Sequence, residues 1–343
     1  MQCSDNWQNQ LDIVAIGLSL TAERVAVDTI LGLESARAAA QLGALSEPFR
    51  ARLWSNLGIE TVLCDSVSSS SSRGQDAANR ALEAAGITGK ELGLIIDFTT
   101  FAEDVSPLAS LANEIQHALN ATNAFVLGTR GAGCCGFHVA LRVAQSFFAS
   151  DPALDYALLV ASDRACSSGR VCLPISIMAD AASAVVIARP GRALRRIGLI
   201  RAVMTQTVGR FSSVIGTEPG TPRVTVDPAT FETQILPLHF VVLSRLLGKA
   251  LRMAELSRAD ISALVYPNTT ELDRRSVARA LEFEERLLLG PGPRELGHAF
   301  ANDLLINAKK WFDTDAPPSG VHSAWLAAGS GFTWGAAIID AIR

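Results

Sequence analysis

The chain of 343 residues carries 30 basic and 34 acidic side chains, and its formal net charge of −4 does not indicate a nucleic-acid partner. Its length allows one large domain or two ordinary ones. Hydrophobic residues make up 49% of the chain and aromatic residues only 6%, a composition that favours closely packed layers of helices and strands.

The first ten residues and the spacing of the cysteines indicate a protein of a reducing compartment. We find no apolar run that is long enough to span a membrane, and the polar residues 1–10 do not resemble a signal peptide. We therefore expect a cytoplasmic protein that is not embedded in a membrane and keeps its thiols reduced. The spacing of the cysteines predicts neither a metal site nor a disulfide framework. They are Cys3, Cys64, Cys134, Cys135, Cys166 and Cys172.

Hydrophobic periodicity predicts alternating strands and helices along the chain. Apolar runs predict strands at 11–18, 59–64, 92–98, 124–127, 157–161 and 180–187. Helical spacing predicts helices at 36–43, 49–57, 75–85, 107–119 and 231–253. We interpret the serine-rich segment 67–73 as a solvated loop before a helix, 162–177 as an irregular passage, and the glycine- and proline-rich segment 209–225 as a loop or flap.

One segment, Arg130–Arg142, combines a glycine turn with two cysteines. It follows a predicted strand, and apolar residues at helical spacing come after it, so a helix should begin near the cysteines. Free N–H groups and the positive end of the helix dipole favour a thiolate at such a junction. The pattern therefore predicts a nucleophile that accepts an acyl group, although a cysteine among small residues is more often a buried hydrophobe. Periodicity does not choose between Cys134 and Cys135.

The second half of the chain repeats the order of elements of the first half. A helix, a turn and a buried strand at 80–100 are matched by the same elements at 249–270, and the strand at 180–187 is matched by one at 331–339. We interpret the chain as two similar α/β halves, 1–190 and 191–343, that share one core with the site between them.

Five short motifs, in this order, resemble those of thiolase-fold condensing enzymes, close to β-ketoacyl-acyl-carrier-protein synthase III. The resemblance extends from about residue 11 to the end of the chain and implies an α/β fold with αβαβα layers. The motifs are Ala-Gly-Cys-Cys-Gly-Phe at 132–137, Met-Ala-Asp-Ala-Ala-Ser-Ala at 178–184, Tyr-Pro-Asn at 266–268, Ala-Asn at 301–302 and Gly-Ser-Gly-Phe-Thr-Trp-Gly at 329–335.

The resemblance also implies a site and its partners. Cys134 matches the family nucleophile, and Cys135 takes the place of a small residue. An acyl group would pass from coenzyme A or an acyl carrier protein to this sulfur, with no further cofactor and no metal. Backbone N–H groups of Cys134 and of the turn formed by Gly329, Ser330 and Gly331 would stabilise the oxyanion. The family relationship further implies a homodimer, with the strand around 124–127 at the interface.

One family residue is replaced in this chain. The family pairs a histidine after a proline with an asparagine; Asn302 matches the asparagine, but Asn268 stands where the histidine is expected. An amide donates hydrogen bonds but does not exchange a proton near neutral pH, so ordinary malonyl condensation is in doubt. His298, four residues before Asn302, is a further candidate catalytic residue, and Asp303 could orient it. Alternatively, His298 makes a structural hydrogen bond and Asp303 stabilises a helix N-terminus.

Three functions remain open at this point. The first is an acyltransferase that passes the acyl group from Cys134 to an oxygen, nitrogen, sulfur or stabilised carbon acceptor, in a natural-product or fatty-acid-like pathway. The second is a ketosynthase with a modified triad, in which Asn268, Asn302 and in one version also His298 surround the enolate beside Cys134. The third is a non-catalytic partner subunit in a heterodimer with an active relative.

Overall fold

The computed structural model of the chain describes residues 10–102, 104–105, 110–165, 169–217 and 224–342, without the side chains of residues 314 and 315. The strands are β1 Leu11–Ser19, β2 Arg24–Ala26, β3 Thr61–Leu63, β4 Leu92–Asp97, β5 Phe125–Gly128, β6 Tyr156–Asp163, β7 Val171–Cys172, β8 Ser176–Ile177, β9 Ala181–Ala188, β10 Gly198–Thr207, β11 Ile215–Thr217, β12 Val224–Val226, β13 Ile261–Val265, β14 His322–Gly329 and β15 Thr333–Ala341. The helices are α1 Val27–Leu33, α2 Ser35–Gly43, α3 Glu47–Ser55, α4 Ser70–Ala85, α5 Leu111–Ala118, α6 Gly136–Ser150, α7 Pro228–Thr230, α8 Leu236–Met253, α9 Glu271–Ala280 and α10 Asn302–Lys310.

Within this part of the chain, nine strands form one sheet in the order β13-β14-β15-β10-β1-β9-β6-β4-β5. On one side of the β1–β10 pairing, β4 is parallel to β6, and β6-β9-β1 are antiparallel. On the other side, β13 is parallel to β14, and β14-β15-β10 are antiparallel. The same order of pairings therefore occurs twice, and residue 190 lies between β9 and β10. The division into halves at 190/191 itself stays a prediction.

The buried side chains place the helices in layers. Helices α6 and α10 share a core with strands of both halves of the sheet, which places them in a central layer. Helices α4 and α5 cover the outer face of the first half, and α8 and α9 cover the outer face of the second. The result is the expected αβαβα arrangement, and most strands are buried on both faces, which explains why they are apolar runs rather than alternating patterns.

Most predicted elements within the described residues are confirmed to within a few residues; the exceptions are segments interpreted as loops, among them 162–177, which contains β7 and β8. Helix α4 begins at Ser70, inside the segment interpreted as a loop, because the Ser69 hydroxyl caps it by accepting a hydrogen bond from the Ser72 N–H group. The start of the predicted helix 107–119, the middle of the flap 209–225, Cys3 and Cys166 lie outside the described residues. The described ends of the flap pair as strands β11 and β12.

The helical stretch Pro228–Met253 is long and apolar enough to cross a bilayer by length and composition alone, contrary to the expectation from the sequence. In the fold, however, this stretch contributes Val242, Leu243, Leu246 and Leu247 to the core that covers the second half of the sheet. The packing therefore accounts for its apolar character.

Helix α4 lies directly against β1 at Gly17. A Cβ atom added at Gly17 would come within 2.1 Å of the Ala77 carbonyl oxygen and 2.5 Å of the Ala81 nitrogen. Both are backbone atoms of a helix, so neither moves without displacing the whole element. The close contact aligns this outer layer with the sheet.

We predict that Gly17→Ala lowers the free energy of unfolding by about 3 kcal/mol, because the added methyl group overpacks a helix–strand contact. Chemical denaturation monitored by circular dichroism measures this loss. Gly32→Ala is the matched control: a Cβ added to this helical glycine would meet only open space, so the same change should raise stability by about 0.5 kcal/mol. Equal effects at the two positions would contradict the packing argument.

Candidate active site

Cys134 lies where β5 leads into α6. Gly133 adopts a positive φ of 52°, a short 3-10 turn spans Gly133–Cys135, and α6 begins at Gly136. Cys134 is partly exposed, whereas Cys135 is fully buried. Burial, together with the charge of the neighbouring Cys134, raises the pKa of the Cys135 thiol far above its ordinary value. Of the two adjacent cysteines, the structure therefore places Cys134 in the position suited to a nucleophile.

The partner of the sulfur is a histidine from the second half of the chain. His298 Nε2 is 3.1 Å from Cys134 Sγ, and the histidine is fully buried. Its backbone is held on both sides, because its N–H group donates to the Ile177 carbonyl and its own carbonyl accepts from the Ala179 N–H group. These two hydrogen bonds hold the backbone of His298 in place, and the backbone in turn positions the ring next to the sulfur.

Asp303 completes a chain of three side chains. His298 Nδ1 lies 2.5 Å from Asp303 Oδ2, so Nδ1–H donates to the carboxylate and Nε2 faces the sulfur. The carboxylate also accepts hydrogen bonds from the backbone N–H groups of Asn268, at 2.6 Å, and Ala299, at 2.9 Å. Cys134, His298 and Asp303 therefore have the arrangement of a nucleophile, a base and the group that orients the base.

The charges around His298 favour its protonated form. Burial opposes the imidazolium, but the negative charges of Cys134 and Asp303 and hydrogen bonds to both groups outweigh it, and the pKa of His298 is raised well above its ordinary value. The geometry therefore places a proton-carrying imidazole nitrogen, His298 Nε2, against the Cys134 sulfur.

Asn268, expected beside the substrate, supports Asp303 instead. It is fully buried, its backbone N–H group donates to Asp303, and its side-chain amide lies 3.4 Å from the other carboxylate oxygen. Its amide oxygen accepts hydrogen bonds from Arg274 and from Asn307. The Asn268 amide thus makes its hydrogen bonds to Asp303, Arg274 and Asn307. It contacts the histidine only indirectly, through the Asp303 carboxylate.

The side chain of Asn302 is likewise held by hydrogen bonds within the protein. Its amide oxygen accepts a hydrogen bond from Ser183 at 2.7 Å, and its amide nitrogen donates to Asp163 at 2.7 Å. Asp163 in turn accepts hydrogen bonds from the N–H groups of Thr100 and Phe101, and burial raises its pKa well above its ordinary value. On this loop the side chain that contacts the sulfur is His298, four residues before Asn302, and the catalytic role expected of Asn302 stays a prediction.

The turn at 329–331 packs against the cysteine loop, as expected. A Cβ added at Gly329 would meet the Ala132 carbonyl oxygen at 2.0 Å and the Cys134 nitrogen at 2.6 Å. Gly331 has a φ of 120°, which other residues rarely adopt. The turn therefore brings its backbone close to the nucleophile, while its role in binding an oxyanion stays a prediction.

Two cavities meet at the sulfur. The larger, of about 390 Å³, is lined by Cys134, Gly329 and Ser330 together with apolar residues of α3, α8 and α9. The smaller, of about 190 Å³, is lined by Cys134, His298 and a mostly apolar group that includes Phe101, Met178 and Phe300. Neither cavity is lined by Asn268 or Asn302. Among the described residues, no cluster of three or more His, Cys, Asp or Glu could hold a metal ion.

One further group of polar side chains, which sequence patterns do not single out, lines the larger cavity. His239 lies in a long apolar helix. Tyr266 precedes Asn268 by two residues, and Asp273 follows it by five. The sequence offers only a weak signal for the pair Tyr266 and Asp273, which lie seven residues apart. Tyr266 is in the loop before α9, and Asp273 is in the first turn of that helix. Tertiary contacts alone bring His239 to them.

No family model matches the chain. A β-ketoacyl-[acyl-carrier-protein] synthase III from Salmonella arizonae is 28% identical over 290 residues, which cover 78% of this chain and 82% of that protein. Two solved structures superpose on nearly the whole chain. ChlB3, named as an acyltransferase, gives a TM-score of 0.81 at 21% identity and covers 97% of this chain and 98% of its own. The priming β-ketosynthase of the R1128 polyketide biosynthetic pathway gives 0.78 at 18% identity, with 96% of both chains covered.

We predict that iodoacetamide alkylates Cys134 much faster than Cys135 at neutral pH, because only Cys134 is accessible and paired with a histidine. His298→Gln should slow alkylation of Cys134 about tenfold, since the imidazolium no longer stabilises the thiolate. Peptide mass mapping over time gives the rate at each cysteine. Cys135→Ala is the control and should leave the rate at Cys134 unchanged; equal rates at Cys134 in wild type and His298→Gln would contradict the pairing.

Proposed function

We propose that this chain, a thiolase-fold protein similar to β-ketoacyl-acyl-carrier-protein synthase III, is an acyltransferase that uses Cys134, His298 and Asp303. The observation that carries the proposal is the continuous contact from the Cys134 sulfur through the His298 ring to the Asp303 carboxylate. The similarity to a synthase III and to a protein named as an acyltransferase supports the same reaction class.

In the proposed reaction the Cys134 thiolate attacks the carbonyl carbon of a thioester. The tetrahedral intermediate collapses, the carbon–sulfur bond to the donor breaks, and the departing thiolate takes a proton from the His298 imidazolium. His298 is then neutral and accepts the proton of an acceptor X–H as X attacks the acyl carbon on Cys134. The Cys134 thiolate and the imidazolium are restored. The donor supplies an activated acyl group, so this cycle requires no resident cofactor.

Simple transfer fits the site better than decarboxylative condensation. A malonyl decarboxylation needs donors that stabilise the enolate oxygen, and the family uses two side chains for this. Here the amides of Asn268 and Asn302 are engaged with Asp303, Arg274, Ser183 and Asp163. One buried imidazole beside the sulfur suffices for two proton transfers, which is what acyl transfer requires.

We assign the two cavities to different parts of the reaction. The smaller, mostly apolar cavity beside Cys134 and His298 would hold the acyl chain. The larger cavity has Arg52 and Arg279 among its lining residues, both exposed, and would admit the phosphopantetheine arm of coenzyme A or of an acyl carrier protein and then the acceptor. We propose a polyketide or other fatty-acid-like pathway in the cytoplasm, where a free thiol persists.

We predict that incubation with a panel of acyl-coenzyme A thioesters gives a single acyl adduct, detected by intact mass and mapped to Cys134. Cys134→Ala should give none, because no other thiol has a histidine partner in the described structure. His298→Gln should slow acylation about 10²-fold or more, since it removes the proton donor, and Asp303→Asn should slow it as well, because an amide does not orient the same tautomer.

Cys135→Ala is the matched control and should form the adduct at the wild-type rate. Folding of each variant is checked by thermal melting. Release of carbon dioxide from a malonyl thioester, faster than the transfer of any acyl group, would favour a ketosynthase and contradict the proposal. The absence of an adduct with every thioester, with the melting curve intact, would favour a non-catalytic partner subunit.

We further propose a homodimer formed through β5. This strand lies at the end of the sheet, and Phe125 within it is 57% exposed and stacks on Phe147. An edge strand with an exposed aromatic side chain is a natural pairing site for a second copy.

We predict that Phe125→Asp weakens self-association roughly 100-fold, because it places a charge in the centre of this interface. Sedimentation velocity over a concentration series measures the change. Leu33→Asp is the control, since Leu33 is 82% exposed on α1 and should not alter association. A monomeric wild-type protein, or a Phe125→Asp variant that stays fully dimeric, would contradict this interface.

A further inference from the structure

A second chain of hydrogen-bonded side chains lies in the wall of the larger cavity. Trp334 Nε1 is 3.0 Å from His239 Nδ1, His239 Nε2 is 3.2 Å from Tyr266 Oη, and Tyr266 Oη is 2.9 Å from Asp273 Oδ2. His239, Tyr266 and Asp273 line the same cavity as Cys134, whereas Trp334 lies in the core behind them. None of these groups takes part in the proposed acyl transfer.

The donors in this chain all point towards Asp273. The indole of Trp334 only donates, so His239 Nδ1 is an acceptor and, in the neutral ring, the proton is on Nε2. Burial lowers the pKa of His239 and so favours this neutral form. His239 Nε2–H then donates to Tyr266, and the Tyr266 hydroxyl donates to Asp273. Burial and the charge of Asp273 raise the pKa of Tyr266 well above its ordinary value, which keeps its proton in place.

The carboxylate has one oxygen occupied and one available. Asp273 Oδ2 accepts from Tyr266 and also from the Thr269 hydroxyl at 2.7 Å. Asp273 Oδ1 has no hydrogen-bond or ion-pair partner among the residues that the structure describes. The carboxylate is therefore held in a fixed orientation with one acceptor atom left for a ligand. The other lining residues are mostly apolar and include Phe231, Leu236, Phe240 and Leu272, with Ser276 and Arg279 among the polar ones.

We propose that Asp273, held by Tyr266 and Thr269, is a specificity site for an acyl acceptor that carries a second hydrogen-bond donor, a hydroxyl or an ammonium group, on an apolar body. The inference rests on the proposed acyl transfer and adds the class of acceptor to it. The reacting group of the acceptor lies at His298 and Cys134, and the second donor binds Asp273 Oδ1 in the wall of the larger cavity, which Cys134 also lines. Asp273 is a binding residue here, not a catalytic one.

The substitution Asp273→Asn tests the site because it keeps the shape of the side chain and replaces the acceptor Oδ1 with a hydrogen-bond donor. Tyr266 and Thr269 both donate, so the amide must turn its oxygen towards them. Its NH₂ group then takes the place of Oδ1 and presents a donor to the donor of the ligand. The loss of the carboxylate charge also removes any preference for an ammonium group.

Binding is measured first without chemistry, in the Cys134→Ala protein. The probes are hexanol, hexanediol with hydroxyls at both ends, and hexanol with an amine at its far end. We expect the diol or the amino alcohol to bind roughly tenfold more tightly than hexanol, because a hydrogen bond to a charged acceptor is strong, and we expect Asp273→Asn to abolish that preference. Titrations followed by ligand-observed NMR give the dissociation constants.

The two arms distinguish the donor: preference for the amine identifies an ammonium ligand, and equal preference for diol and amine identifies a hydrogen-bond donor of either kind. Equal affinity of all three probes for the Cys134→Ala protein, or a preference that survives Asp273→Asn, would overturn the assignment. Asp76→Asn, an exposed aspartate paired with Arg80 on α4, is the matched control and should change none of these affinities. If Asp273→Asn fails to fold, Tyr266→Phe, which removes one donor to the carboxylate, should reduce the preference.

Kinetics separate this inference from the proposed function. With acyl-Cys134 protein, the ratio of kcat/KM for hexanediol or the amino alcohol to that for hexanol should be about ten in wild type and about one in Asp273→Asn. Failure of any thioester to acylate Cys134 would refute the transferase while the binding preference in Cys134→Ala stood. Transfer to all three acceptors with equal kcat/KM would refute the role of Asp273 and leave the transferase intact.

Discussion

The buried carboxylate of Asp303 is the constraint on which the rest of the site depends. It accepts hydrogen bonds from the His298 ring and from backbone N–H groups of Asn268 and Ala299. These groups come from the loop after β13 and from the loop before α10, so one carboxylate ties the two loops together. A buried charge is tolerated only with such a set of partners, and the loss of any one of them would leave an uncompensated group. The same contacts that stabilise the carboxylate fix the histidine at the sulfur.

This arrangement explains how the two asparagines are used. Once Asp303 occupies the space behind His298, the amide of Asn268 satisfies the carboxylate and is itself satisfied by Arg274. Asn302 instead links Ser183 to Asp163, whose carboxylate orders the backbone at Thr100 and Phe101 beside the smaller cavity. In the proposed reaction both amides therefore support the site, and the proton transfers fall to a single imidazole. Backbone strain accompanies this geometry, since Phe300 adopts a φ of 53° only two residues from His298.

In the larger cavity, too, a chain of hydrogen bonds holds a polar side chain in a fixed orientation. Two relays of hydrogen bonds end at its walls, one at the Cys134 sulfur and one at the Asp273 carboxylate. In the first chain, the proposed reaction uses the proton on the His298 ring. In the second chain, the donors are directed at Asp273 Oδ2, and Asp273 Oδ1 is left for a ligand. Since the surroundings are apolar, each polar end is worth more for orientation than it would be in water. A ligand that satisfies both ends is held in a single direction.

The sequence by itself determined the order of elements, the layered α/β fold and the segment that carries the nucleophile. Apolar runs and glycine turns are local features, and they predict strands and a strand–turn–helix junction without knowledge of distant contacts. It also offered His298 as a further candidate, because this residue lies four positions before Asn302, and Asp303 as the residue that could orient it. Only the tertiary structure showed that Cys134 is partly exposed while Cys135 is buried, gave Asn268 and Asn302 their hydrogen-bond partners, and joined His239 to Tyr266 and Asp273. Those outcomes depend on burial and on hydrogen bonds that the fold creates, some of them between residues more than a hundred positions apart, such as Cys134 and His298, and neither is encoded in the spacing of residues along the chain.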